Sequence, residues 1–173
     1  LREFSYAINT PETGYRVIPW DLFPDYFTTV PEFYDKDKWL ESDIVKSSPE
    51  MATKYHKVCA GIDSLLQSFG YERHGLYYHT DPAVTDGDDN KNIVLFCHFG
   101  VTSLIISYLL GISPILLWQG FIAAPTSITV LNAEKRLNDD AYFRIQSFGD
   151  ASHLTVNGEP ISGSGNFAEP FQQ

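Results

Sequence analysis

The sequence is short of sulfur, of positive charge and of uninterrupted apolar length, and each shortage excludes something. The two cysteines, Cys59 and Cys97, both lie inside apolar runs. Such a pair is no disulfide framework; buried, reduced thiols of a cytoplasmic protein are expected. No Cys/His spacing resembles a zinc site, so neither a metal nor a cofactor is expected. Lysine and arginine total 12 against 22 acidic residues, a net charge of −10. That balance argues against nucleic acid and against a membrane surface as partners. The most apolar stretch, Val101 to Ala124, is interrupted by Gly111, Pro114 and Gly120. It falls short of the roughly 18 unbroken apolar residues of a membrane span. A buried helix, a turn and a second short helix account for it better. No signal peptide, internal repeat or domain linker is visible. A G-x-S-x-G nucleophile elbow is missing, and so is a G-x-x-x-x-G-K phosphate loop.

What is present is a packed globular chain. Its 173 residues are 43 % hydrophobic and 14 % aromatic, enough for one domain with a real core. Residues 1–47 are irregular, punctuated by Pro19, Pro24 and Pro31, and rich in aromatics such as Trp20, Phe33 and Trp39. They read as an aromatic-stapled excursion or a lid over a site. Residues 48–156 read as the α/β core and residues 157–173 as an irregular tail. Within the core, Ser48, Pro49 and Glu50 make a helix start, and Met51, Tyr55, Val58, Cys59, Ile62, Leu65, Leu66 and Phe69 recur at helical spacing up to a stop at Gly70. Residues 71–79 read as extended and 80–90 as an acidic turn. A buried strand is expected at 92–97, a helix at 100–110, and two further strands in "SITVLNAE" and "AYFRIQSFGD". This order predicts an α/β sandwich with a partly parallel sheet.

The stretch "NIVLFCHFGVTSLIISYLLG", residues 92–111, concentrates the chemistry. An apolar strand running into His98, then Gly100, then a helix would place an imidazole beside the free N–H groups of a helix start. Such a place suits a phosphate. The backbone N–H of Phe99 would point at the anion.

These residues carry a resemblance. "VLFCHFGVTSLIISYLLGI", followed by "SITVLNAE" and "IQSFGDASHL", resembles the C-terminal half of the histidine phosphatase superfamily, the phosphoglycerate mutase-like proteins. "LREFSY" at residues 1–6 is similar to the family's Leu-x-Glu segment, and Ile62 to Arg73 is similar to its Leu-Asp-Glu-Leu-Leu…Gly-Tyr-Glu-Arg text. The resemblance implies a three-layer α/β/α sandwich with a mostly parallel mixed sheet. It also implies phosphoryl transfer to a histidine, followed by hydrolysis of the phosphohistidine without a metal. By that resemblance His98 is the second histidine, a ligand of the phosphoryl group, and Glu3 is the acid that protonates the leaving oxygen. Glu50 corresponds to an acidic position that helps bind substrate; taken alone, it is a carboxylate stabilising a helix start. The nucleophile, an Arg-His-Gly histidine on an N-terminal strand, and the family's two arginines have no counterpart in this chain. Starting at Leu1, it reads as beginning in mid-fold, inactive alone.

Phenylalanine follows His98 where the family has glycine. Arg73-His74-Gly75 repeats the nucleophile motif in the wrong context: it follows a helix stop and no apolar strand precedes it. His56, His79 and His153 read as solvated or structural. The expected activity is therefore that of a phosphomonoester hydrolase acting on a small phosphorylated substrate. The alternatives are a mutase using the same site, or a non-catalytic α/β module that binds a ligand or partner.

Overall fold

The computed structural model of the protein describes residues 2–10, 14, 16–87 and 91–164. The chain opens with a two-stranded ribbon, β1 (Ile8–Asn9) against β2 (Arg16–Val17). Short helices follow, each started by a residue that suits its first turn. Proline opens α1 (Pro24–Phe27), and the Ser42 hydroxyl accepts the Val45 N–H at the start of α2 (Asp43–Lys46). The long helix α3 spans Met51–Gln67. Its cap residue is Glu50, two positions beyond the serine that the sequence nominates, and the Ser48 carbonyl accepts the Met51 N–H instead. Gly70, at φ +84°, turns the chain away after α3.

Strands β3 (Tyr71–His74) and β4 (Tyr77–Thr80) form a hairpin closed by Gly75 and Leu76. Gly75 takes φ +65°, the positive angle that the first position of a tight two-residue turn calls for. Helix α4 (Pro82–Thr85), capped by the Asp81 side chain on the Ala83 N–H, leads toward the segment before His98. Helices α5 (Phe99–Leu110) and α6 (Pro114–Gly120) come next, with Gly111 in the left-handed conformation ending α5. Two long strands, β5 (Ile128–Lys135) and β6 (Asp140–Asp150), and a last turn of helix, α7 (Ser152–Val156), complete the described chain.

Among the described residues the larger sheet has the order β3-β4-β6-β5, and every pairing in it is antiparallel. This corrects the expected three-layer sandwich with a mostly parallel sheet. The physical reason lies in connection length. Both long pairs are hairpins, and short connections join antiparallel neighbours, whereas a parallel neighbour needs a crossover of a dozen residues or more. The one element that would have demanded parallel pairing is the run 92–97, and it belongs to neither sheet. Within it Val94 is 71 % and Phe96 88 % exposed. A covered strand needs neighbours at both edges and layers on both faces. An apolar run reports the demand for cover and not its supply.

The core lies around α5 and α6. Leu104, Ile106 and Ile115 are fully buried there, together with Phe33, Trp39 and Ile8 from the N-terminal quarter. Trp118 of α6 is the hub: Phe4 stacks on it at 5.8 Å, Trp39 meets it edge-on at 5.8 Å, and Trp20 lies at 6.2 Å. The aromatic-rich residues 1–47 thus supply a large part of the hydrophobic core and, through Trp20, flank the start of α5. No helix among the described residues is long and apolar enough to cross a membrane.

Candidate functional site

Helix α5 begins after His98, whose backbone is extended at φ −120° and ψ 166° and whose side chain is exposed. The first N–H groups of any helix lack intrahelical acceptors. Here Thr102 is the first to reach back, to the His98 carbonyl at 2.9 Å. The Val101 N–H goes instead to Glu3 Oε1 at 3.1 Å, across 98 positions of sequence. Glu3 Oε1 also accepts the Phe4 N–H at 2.6 Å. Both bonds fall on one oxygen, leaving Oε2 unengaged among the described residues. The N–H groups of Phe99 and Gly100 likewise have no described acceptor. The structure therefore brings together three of the four residues that the sequence nominates: Glu3, His98 and Phe99. They meet at the positive end of a twelve-residue helix, where a carboxylate or a phosphate is stabilised.

Gly100 makes the arrangement possible. A Cβ there would stand 2.6 Å from Glu3 Oε1 and 2.4 Å from Trp20 Cζ3. The carbonyl of the same glycine accepts the Trp118 Nε1–H at 2.9 Å. Trp20 is held by its neighbour, since Gln119 Nε2 donates to the Pro19 carbonyl at 2.6 Å. Phe99 meets the Trp20 ring edge-on, centroids 5.8 Å apart. The carboxylate is thus walled by rings, among them Trp20, which the sequence places in the aromatic-rich excursion or lid. Its place against Gly100 had only a faint signal: a glycine at the second helical position, where nothing in the helix itself requires one.

Glu50 is exposed at the start of α3, and no described hydrogen bond joins it to Glu3 or His98. His98 itself no longer stands at the tip of a covered strand, because the run before it lies outside the sheet. Cys97, just before it, has its thiol 3.0 Å from Thr102 Oγ1, and both cysteines are free.

The decoy motif has a different role. Arg73 Nε donates to Asp63 Oδ1 at 2.7 Å, and Arg73 also hydrogen-bonds the Tyr78 hydroxyl. The Tyr108 hydroxyl donates to Asp63 Oδ2 at 2.6 Å, and the guanidinium stacks 3.8 Å above the Tyr108 ring. This network ties α3, the β3–β4 hairpin and α5 together. Burial pushes the Tyr78 and Tyr108 phenols well above their ordinary range, and the Cys59 thiol up to about 11. His74 is exposed and stacks on Tyr77. The readable sign of this network was Asp63, a carboxylate next to inward-facing Ile62 on α3.

Two cavities lie away from His98. One, of about 410 Å³, is lined by Tyr55, Cys59, Asp63 and Tyr108; the other, of about 530 Å³, by Tyr34, Ile112, Ser113 and Leu116; Lys36 and Asp37 line both. Their polar groups are engaged chiefly with one another, as in the Asp63 network and the Lys36–Asp37 pair at 2.5 Å. At the α5 start His98 is exposed while Gly100 and Val101 are buried, and the Phe99 and Gly100 N–H groups have no described acceptor, so it is the better candidate for chemistry. No group of three or more His, Cys, Asp or Glu side chains suited to a metal ion occurs among the described residues. No family model matches this chain, and neither the curated proteins nor the solved structures contain a match to it.

Proposed function

We propose that the protein is a metal-independent phosphomonoester hydrolase of the histidine phosphatase type, cytoplasmic, acting on a small phosphorylated substrate. The nucleophilic imidazole comes from a segment outside residues 1–173. The observation that supports this reading most is the Glu3 carboxylate on the Val101 N–H, three residues beyond His98. Two residues 95 positions apart in sequence, chosen for one reaction, lie at one helix start.

In the reaction, the nucleophile forms a P–N bond as the bond between phosphorus and the leaving oxygen breaks. The imidazole of His98 and the N–H groups of Phe99 and Gly100 hold the phosphoryl oxygens, where charge is spread in the transition state. An alkoxide is a poor leaving group, so Glu3 delivers a proton to it from Oε2. Water then attacks the phosphohistidine, Glu3 takes back a proton, and inorganic phosphate departs. Oε1, fixed by two N–H donors, keeps the carboxyl group aimed throughout.

The test is hydrolysis of p-nitrophenyl phosphate by the intact protein and by His98→Ala. Loss of one preorganised donor to the transferring group costs about a hundredfold or more in kcat. Equal rates in the two proteins remove His98 from the mechanism. Release of p-nitrophenol in excess of inorganic phosphate, with the balance found on an alcohol acceptor, would instead identify a phosphotransferase of the mutase type.

A further inference from the structure

Resting on the reading just given, we infer that the substrate's leaving group carries a ring, because the acid Glu3 is walled by aromatic faces and edges. Trp20 overhangs Gly100 from the same side as the carboxylate: an added Cβ would meet Trp20 Cζ3 at 2.4 Å, Trp20 Cη2 at 2.6 Å and Glu3 Oε1 at 2.6 Å. The leaving oxygen must come within hydrogen-bond reach of Glu3 to receive its proton, so whatever is bonded to that oxygen lies against this wall. Phe99 adds a second ring, edge-on to Trp20 with an interplanar angle of 84°. Both rings are half-buried and keep surface to offer.

The wall is preorganised. Trp118 backs Trp20 at 6.2 Å and donates from Nε1 to the Gly100 carbonyl. Pro19 is buried and its carbonyl is pinned by Gln119. A ring entering such a site needs no side chain to reorder, and aromatic pairs favour the edge-to-face and offset arrangements that two fixed rings present. Among the described residues no lysine or arginine hydrogen-bonds Glu3, and the cation–π contacts recorded are those of Arg73 elsewhere. An uncharged ring meets the aromatic wall directly.

The test compares benzyl phosphate with ethyl phosphate, whose leaving alcohols have similar acidity, so that chemistry is matched and only the wall differs. In the intact protein kcat/KM for benzyl phosphate is expected to exceed that for ethyl phosphate by about tenfold or more, the discrimination an apolar pocket gives. In Trp20→Leu the ratio falls toward one, chiefly through KM for the benzyl ester, and Trp20→Phe restores most of it. The conservative variant separates lost recognition from lost folding. Ratios within twofold in the intact protein overturn this inference and leave the hydrolase reading standing. A high ratio that persists in Trp20→Leu also overturns it. Absence of hydrolysis of either ester overturns both.

Discussion

Replacing Gly100 by alanine isolates the contact on which the site depends. In an ordinary exposed helix the change would stabilise, since alanine is better than glycine by about 1 kcal/mol. At this position the new methyl would lie 2.4 Å from Trp20 Cζ3, whereas ordinary contact starts at 3.4 Å. The overlap is therefore 1.0 Å against an indole that Trp118 and Gln119 hold from behind. Overpacking of that kind costs about 1–3 kcal/mol. The methyl also meets Glu3 Oε1 at 2.6 Å, so the bond to the Val101 N–H must lengthen or break. A hydrogen bond to a charged group is worth about 1.5–3 kcal/mol. Set against the helical gain, the net loss is about 1.5–5 kcal/mol, or a drop of roughly 3–20 °C in Tm for a chain of this length. Gly61 is the control. It lies mid-way along α3 with nothing within 4 Å of an added Cβ, so Gly61→Ala should raise stability by about 0.5–1 kcal/mol. Urea unfolding followed by tryptophan fluorescence reads both variants. If Gly100→Ala is as stable as the parent, neither the carboxylate nor the indole sits on that glycine, and the site as described does not exist.

Two further outcomes follow from the interior. Cys59 is buried with its thiol raised to about 11, while Cys97 is half-buried. Iodoacetamide at pH 8 should modify Cys97 well before Cys59, as mass spectrometry of timed digests would show; equal rates would place Cys59 at the surface. Because the folded thiol holds its proton more tightly than the unfolded one, its contribution to stability is complete below pH 9.0 and is lost as pH climbs toward 11. The raised Tyr78 and Tyr108 phenols act in the same direction, so a urea midpoint that stays flat from pH 8 to 11 would contradict their burial. Asp63→Ala strands a guanidinium that is 14 % exposed and should cost about 2–4 kcal/mol, near the lower end for a broken buried pair. Tyr108→Phe removes one bond to a carboxylate and should cost less, about 1–3 kcal/mol. Equal losses would mean that the ion pair adds nothing beyond the phenol.

The helices were legible because their apolar spacing is long and their ends are punctuated. The helix read over 49–69 and the one read over 100–110 appear as Met51–Gln67 and Phe99–Leu110. The β5–β6 hairpin was legible because a polar turn from Arg136 to Asp140 separates two β-rich runs. The hydrogen bond from the start of α5 to Glu3 has no local signal in the sequence, since nothing local links residues so far apart. The sheet's handedness of pairing was not legible. The five apolar residues at 93–97 look the same whether or not a neighbour lies beside them. The Asp63–Arg73 network was missed because a charged residue on a helix reads as solvated by default, and only the facing hairpin reveals its partner. Residues 88–90 of the acidic turn and 165–173 of the tail lie outside the described residues.

The apolar run before His98 also governs how the molecule behaves in bulk. Val94 and Phe96 display hydrocarbon on a backbone that forms no ladder within either sheet, the combination that makes chains adhere to one another. What holds copies apart is the surplus of ten negative charges. Their mutual repulsion reaches about 30 Å in 0.01 M salt and only about 3 Å at 1 M. Solutions of this protein should therefore keep best in dilute buffer, and added sodium chloride should clump them where it would clarify most proteins.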